Sequence, residues 1–211
     1  MSLQTETEKK ILNAAEEVFL EKGYGTTTTQ DIARKAKCNQ SLVYYYYRSK
    51  ENLFLMIFKE KTELIFNSFA EPLQVDHGII DTVQHMVDAY FDFLSQNERL
   101  PYFLVNEIIQ NPNIQEYIIE IFEQNAVRMS VFMQFDSQVQ EGIRAGVIRN
   151  IDTADLMIHI VSLCVSTFLS KNMLLRVLPF SDGLDGEFFT HRKQEIKKLI
   201  IHGITAQNEE L

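Results

Sequence analysis

Residues 32–50 carry five cations, Arg34, Lys35, Lys37, Arg48 and Lys50, and no carboxylate before Glu51. Interleaved with them are Asn39, Gln40, Ser41 and the tyrosines Tyr44 to Tyr47. Ammonium and guanidinium groups beside amides, hydroxyls and phenols can hold phosphate oxygens and hydrogen-bond the edges of bases. Such binding needs positive potential only within about one Debye length, roughly 8 Å at physiological salt. A basic patch is therefore compatible with the formal charge of −9. That charge is uneven: residues 1–60 hold nine basic and eight acidic side chains, residues 61–211 hold 11 and 21. Five charges alone also fit a solvated surface, so the elements around them decide.

Other chemistries leave no trace. The chain has no H-E-x-x-H, no G-x-G-x-x-G, no phosphate-loop pattern and no nucleophile elbow. Its five histidines (77, 85, 159, 191, 202) lack metal-ligand spacing. Cys38 and Cys164 are too far apart in sequence for a metal-ligand pair and make no disulfide framework; Cys38, beside Lys37, reads as a small turn residue rather than a redox-sensing thiol. No catalytic residue, metal or cofactor is expected. With 211 residues, 45% of them hydrophobic and only 12 Gly and Pro, the chain has ample material for a core and is neither disordered nor collagenous. The run Leu156 to Leu169, interrupted by His159, is too short to span a bilayer, and the first ten residues lack the apolar stretch of a secretory signal. A soluble, cytoplasmic, nucleoid-associated protein is expected.

The spacing is helical nearly throughout. Glu8 to Lys22 places Ile11, Leu12, Ala15, Val18 and Phe19 on one face, with Thr5 and Glu8 as a capping box and Gly23 as the stop. Thr28 and Asp31 open a short helix through Ile32, Ala33 and Ala36. Lys37-Cys38-Asn39 is a three-residue turn, Asn39 caps a helix from Gln40 to Tyr47, and Ser49 caps a long one to about Glu71, where Pro72 stops it. Beyond lie helices at about 79–95, 100–110, 114–145 (opened by Pro112, ended by Gly146), 153–178 and 187–206, with a loop from Phe180 to Gly186. No strand-length alternation occurs. The prediction is all-α with about nine helices: an N-terminal three-helix domain, residues 5–60, and a larger helical domain, residues 61–211.

Helices 28–36 and 40–47 with their turn form a helix-turn-helix, whose second helix fits the roughly 12 Å major groove. Val43 and Tyr47, four apart, face inward. Gln40, Ser41, Tyr44 and Tyr45 face outward, where base and phosphate contacts must come from.

The segment ILNAAEEVFLEKGYGTTTTQDIARKAKCNQSLVYYYYRSKENLFLMIF, residues 11–58, resembles the DNA-binding domain of the TetR family of transcriptional regulators. The likeness rests on the AAEEVFLEKGY helix end, the TT…DIA second helix, the YYYY block and the SKENL start of the linker helix. It implies that Thr28 caps the second helix and offers its amides to a phosphate, that Thr29 contacts a phosphate and that Gln30 stands where some members read a base. It makes Gln40 and Ser41 the principal base readers, Tyr44, Tyr45 and Tyr46 phosphate contacts, and Lys50 a phosphate clamp. The chain departs from the family pattern at two places. Lys37 stands where the turn usually has Gly, so that turn is either strained by about 1 kcal/mol or reshaped, with a phosphate contact as compensation. Leu42 replaces a common hydroxyl and offers a thymine methyl a partner.

One recognition helix reads too few bases for a unique site, so a dimer on a palindromic double-stranded DNA operator is expected. Helix 153–178, apolar nearly all round from Leu156 on, and helix 187–206 are the expected interface. The family resemblance implies a small-molecule inducer, largely apolar, in the larger domain; Met86, Tyr90, Phe93, Phe103, Phe122, Met129, Phe132 and Met133 are the candidate walls, with Asn106 and Glu107 as polar orienting groups. The function expected is a ligand-released repressor, the alternatives being a DNA-tethered adaptor acting on a protein partner, a helical enzyme or a small-molecule carrier.

Overall fold

The structure, a computed structural model, describes residues 5–70, 72–74, 78–123, 126–177 and 187–206. The expectations placed on His77, Leu178, Pro179 and the loop Phe180 to Gly186 lie outside the described residues, as does the side chain of Phe122. Ten α-helices run α1 (Glu6–Lys22), α2 (Thr29–Ala36), α3 (Gln40–Tyr47), α4 (Lys50–Ala70), α5 (Ile79–Gln96), α6 (Leu100–Gln110), α7 (Pro112–Glu123), α8 (Ala126–Arg144), α9 (Thr153–Val177) and α10 (Phe188–Ile204), with a short 3-10 turn at Pro72–Gln74. Among the described residues there is no strand, only one antiparallel bridge between Ile148 and Thr205. The fold class is as read; of the helix expected over 114–145 the described residues hold α7 and α8, and Gln124 and Asn125 between them lie outside the described residues. Backbone contacts divide the chain into two compact units, Met1–Leu64 with Tyr102–Ile121, and Ile65–Pro101 with Phe122–Leu211.

The first unit is built on caps and aromatics. Both expected capping boxes form: Thr5 with Glu8, and Thr28 with Asp31, each satisfying donors that a helix start leaves open. Ile11, Ala15, Val18 and Phe19 of α1 are buried with Ile32 and Ala33 of α2, Val43 and Tyr47 of α3, and Leu53, Phe54, Ile57 and Phe58 of α4. Phe19 meets Phe54 edge-on at 5.3 Å, and Phe54 meets Phe103 of α6 at 5.7 Å. Full burial of each such side chain contributes roughly 1.5–3 kcal/mol. The Tyr47 hydroxyl donates to Glu8 O at 2.9 Å, so this ring is a packing element; burial first, and then Glu8, pushes its phenol up to about 12. Lys61 is buried too, its charge met by Glu16 at 2.6 Å.

In the second unit α5 lays Val83, Met86, Val87, Tyr90, Phe91 and Leu94 against α8, α9 and α10, which supply Phe135, Val139, Leu156, Ile160, Cys164, Ile196 and Ile200. Gly142 of α8 lets that helix approach α5, since a Cβ there would stand 2.6 Å from Ile79 Cγ2. Asp152 caps α9 by accepting from Ala154 N at 2.8 Å. Lys197 pairs with Asp88 at 2.8 Å and Lys193 with Asp92 at 2.7 Å, fixing the pairing of α10 with α5. α9 runs past the apolar stretch read from the sequence: at 25 residues it alone among the described helices is long and apolar enough to cross a membrane. Its Leu156, Ile160, Cys164 and Thr167 are buried against the neighbouring helices, while Ile158, Leu169, Met173 and Val177 are exposed.

Candidate nucleic-acid interface

The turn between α2 and α3 is strained rather than reshaped. Lys37 adopts φ 54°, ψ 45°, its N–H donating to Arg34 O while Cys38 N–H reaches back to Ala33 O at 3.0 Å. These two bonds are a Schellman closure, which requires a left-handed residue at its hinge. Arg48, immediately after α3, also has positive φ, at 67°. The recognition helix is thus bracketed by two non-glycine residues in a conformation that costs each about 1 kcal/mol or more.

Charge pairing separates the five cations of this segment. Arg34 pairs with Asp31, and Lys35 with Glu17 at 2.6 Å. Asp31 is held far below the usual carboxylate range, at about 2, chiefly by hydrogen bonds from Thr28 and then by Lys22. Lys50 donates to Tyr24 O at 2.8 Å and Thr27 O at 2.9 Å and stands 4.1 Å from the centre of the Tyr24 ring. Two of its three N–H donors are thereby engaged. Lys37 and Arg48 have no ion-pair partner among the described residues. Arg48 is marked in the sequence only as a cation standing where a helix stop favours glycine.

Outward on α3 stand Gln40, Ser41, Tyr44 and Tyr45, the last two 48% and 72% exposed, while Val43 and Tyr47 are buried. Tyr46 and Leu42 are half-buried, and the Tyr45 and Tyr46 rings meet edge-on at 5.0 Å. Large aromatic side chains left at the surface on one face of a short helix are unusual in a protein without a partner. Thr28, Gln30, Lys37 and Asn39 are exposed. Asn39 occupies the cap position of α3 without a side-chain capping bond, which corrects its expected role and leaves its amide unengaged by the helix. Thr29 differs most from expectation. It is 9% exposed, its hydroxyl accepts from Gln40 Nε2 at 2.7 Å, and it lies 3.2 Å from the Tyr44 hydroxyl. This chain of bonds ties α2 to the exposed side of α3 and fixes the side chains of both Gln40 and Tyr44. A cleft of about 640 Å³ beside the turn has Lys10, Arg34, Lys37 and Asn39 among its lining residues.

The residues expected to line an inducer cavity lie in both units. Met86 and Tyr90 belong to the core of the second, with Phe93 packed against it. Phe103 is in the core of the first; Asn106 accepts from Gln110 at 2.8 Å, and Glu107 is buried. Met129, Phe132 and Met133 are exposed on α8.

Comparison with known proteins agrees with this geometry. Residues 11–57 match the family described as "Bacterial regulatory proteins, tetR family", and residues 80–200, more than half of the chain, match "Tetracyclin repressor-like, C-terminal domain". The chain is similar to the HTH-type transcriptional regulator QacR of Staphylococcus aureus, 44% identical over 48 residues, which span 23% of this chain and 26% of that protein. It is 25% identical to the fatty acid metabolism regulator protein of Bacillus subtilis over 66% of this chain and 70% of that one. The crystal structure of the regulator FadR from Bacillus subtilis in complex with stearoyl-CoA has the same fold, with a TM-score of 0.68 at 21% identity, covering 93% of this chain and 98% of that chain. A helix-turn-helix with an exposed tyrosine face, followed by a helical domain with its own match, leads to one assignment: the chain belongs to the TetR family of bacterial transcriptional regulators.

Proposed function

We propose that this protein binds a palindromic operator as a homodimer, represses transcription there and is released by a small molecule. The observation that carries the reading is α3, whose Gln40, Ser41, Tyr44 and Tyr45 stand exposed between the unpaired cations Lys37 and Arg48. Gln40 and Ser41 read base edges, Gln40 being suited to adenine. Thr28, Gln30, Lys37, Asn39, Tyr44, Tyr45, Tyr46 and Lys50 make positioning contacts, and Leu42 packs on a thymine methyl. Thr29 acts through the orientation it imposes on Gln40 and Tyr44.

Residues 5–60 serve as the reading head and 61–211 as the ligand-binding and dimerisation part. The exposed apolar side chains Ile158, Leu169 and Met173 of α9 and Leu199 of α10 support pairing through these two helices. The inducer is largely apolar, a reading supported by the long acyl chain of the stearoyl-CoA bound to the structural relative. The protein acts in the cytoplasm, on the nucleoid, and catalyses no reaction. Coupling of about 1–3 kcal/mol between ligand and operator would weaken DNA binding roughly 5- to 150-fold.

The test is a mobility-shift assay on genomic fragments, including the DNA upstream of the protein's own gene, at two salt concentrations. Retention that weakens steeply with salt and is lost in Gln40→Ala supports the reading. Absence of retention in dilute buffer overturns it.

A further inference from the structure

The bonds that join α2 to the exposed side of α3 have a direction. Gln40 Nε2 donates to Thr29 Oγ1 at 2.7 Å, and the Thr29 and Tyr44 hydroxyl oxygens are 3.2 Å apart. Thr29 is 9% exposed, and its hydroxyl has no third side-chain partner among the described residues. A hydroxyl carries one proton and two lone pairs. With one lone pair taken by the Gln40 amide, the Thr29 proton goes to Tyr44 Oη; the opposite sense would leave it buried without an acceptor. The Tyr44 proton is then free for a partner outside the chain, on a side chain 48% exposed. We propose that this chain of bonds is a polarity relay, in which a phosphate accepting from Tyr44 makes Gln40 select adenine over guanine, with Thr29 as the positioning residue between them. The relay rests on the reading of Gln40 as a base reader and supplies the cause of its choice.

An amide can meet a purine edge in two senses. In the sense Gln40 to Thr29 to Tyr44, Oε1 and the remaining amide N–H face outward. Oε1 accepts from the N6 amino group of adenine and the N–H donates to N7. Turning the amide over sets Oε1 against Thr29. Thr29 must then donate to Gln40 and accept from Tyr44, because two facing oxygens need a proton between them. Gln40 now offers its amino group to the groove, which suits O6 of guanine, and Tyr44 offers a phosphate only lone pairs. A phosphate oxygen has no proton to give, so docking Tyr44 on the DNA backbone excludes this second sense. A contact that is itself blind to sequence thereby sets the base chosen by a side chain one helical turn away on α3.

The test uses the full-length protein and duplexes that it retains from a randomised DNA pool. The position whose preference is lost in Gln40→Ala locates the contacted base pair, and duplexes carrying adenine or guanine there are compared by equilibrium titration. The parent protein should prefer adenine by about 5- to 150-fold, the discrimination of one good bidentate pair. Tyr44→Phe leaves Gln40 and Thr29 in place yet frees the Thr29 proton for Gln40 Oε1, so the preference should fall to about twofold or less. Thr29→Val, isosteric and without a hydroxyl, should lose the preference likewise, and adding Tyr44→Phe to it should weaken both duplexes equally. Thr29→Ser should keep the preference. A Tyr44→Phe variant that loses equal affinity for the two duplexes, with its adenine preference intact, overturns the relay and leaves operator binding standing. A parent that prefers another base, or no position that depends on Gln40, overturns the relay as well. A protein that retains no duplex overturns both.

Discussion

The backbone N–H of Tyr24 donates to Glu107 Oε1 over 2.8 Å, joining α6 to the loop that leads into the helix-turn-helix across 83 residues of sequence. Glu107 is 3% exposed, so water cannot take its place. From the other side of the loop Lys50 holds Tyr24 O and Thr27 O. One peptide unit after another is thus fixed by a carboxylate and an ammonium. Gly23 is required at this point, since it has φ 77° and a Cβ would come within 3.2 Å of the same Glu107 oxygen.

Glu107→Ala leaves a buried N–H without an acceptor and should cost about 2–3 kcal/mol, whereas Glu107→Gln retains an oxygen and should cost about 1 kcal/mol. Urea denaturation gives the two values, and hydrogen exchange at the Tyr24 amide should accelerate in the alanine variant alone. Equal stability of all three proteins would show that the loop is held by Lys50 without help from α6.

Lys37 and Arg48 trade stability for charge. Replacing either with glycine removes the left-handed penalty and should stabilise the fold by about 0.5–1 kcal/mol, a rise of about 2–3 °C in Tm. On the proposed docking each of these cations holds one phosphate, so the slope of log affinity against log salt should fall by about 0.9 per substitution. A variant that is more stable and binds DNA with an unaltered salt slope would remove that residue from the interface.

Much of the first unit was legible because its signals are local. Thr5 with Glu8 and Thr28 with Asp31 are three residues apart, and capping boxes formed at both places. Val43 and Tyr47, four apart, share one face of α3, and that face is the buried one. The role of Glu107 was not legible: its partner is 83 residues away, and an acid in an apolar stretch reads equally as a ligand group or as a solvated position. The inward turn of Thr29 was not legible for a related reason. Its neighbour Thr28 is exposed, and only the packing of α2 on α3 turns the next hydroxyl inward to Gln40. The position of Asn39 was right and its bond was not, because a cap residue can satisfy the helix with its carbonyl alone, as Leu42 N–H to Asn39 O at 3.0 Å shows.

The Thr28–Asp31 box gives the reading head an acid limit. Asp31 has its pKa lowered from 3.8 to about 2, first by the Thr28 hydroxyl and amide and then by Lys22. A depressed carboxylate stabilises the fold above its unfolded pKa and stops doing so as pH falls through the folded value. The contribution is therefore complete above about pH 4 and lost between about pH 4 and 2. Asp31→Asn should melt below the parent protein at pH 7, with the two converging as pH approaches 2. A constant gap across that range would assign the loss to packing rather than to charge.

The exposed face of α9 makes the last prediction. Ile158 and Met173 are each 60% exposed although they lie on a helix whose other side is core. Apolar side chains on both faces of one helix are expected where a second chain covers it. Met173→Asp would bury a carboxylate without a partner in such an interface, a cost of several kcal/mol. Sedimentation should show the dimer dissociation constant rising by at least about 100-fold, with helical content unchanged because the residue makes no part of the monomer core. Operator affinity should fall with it, since a single α3 spans only one half-site. A protein that remains dimeric after Met173→Asp pairs through another surface, and the spacing of its two reading heads would then follow from that surface instead.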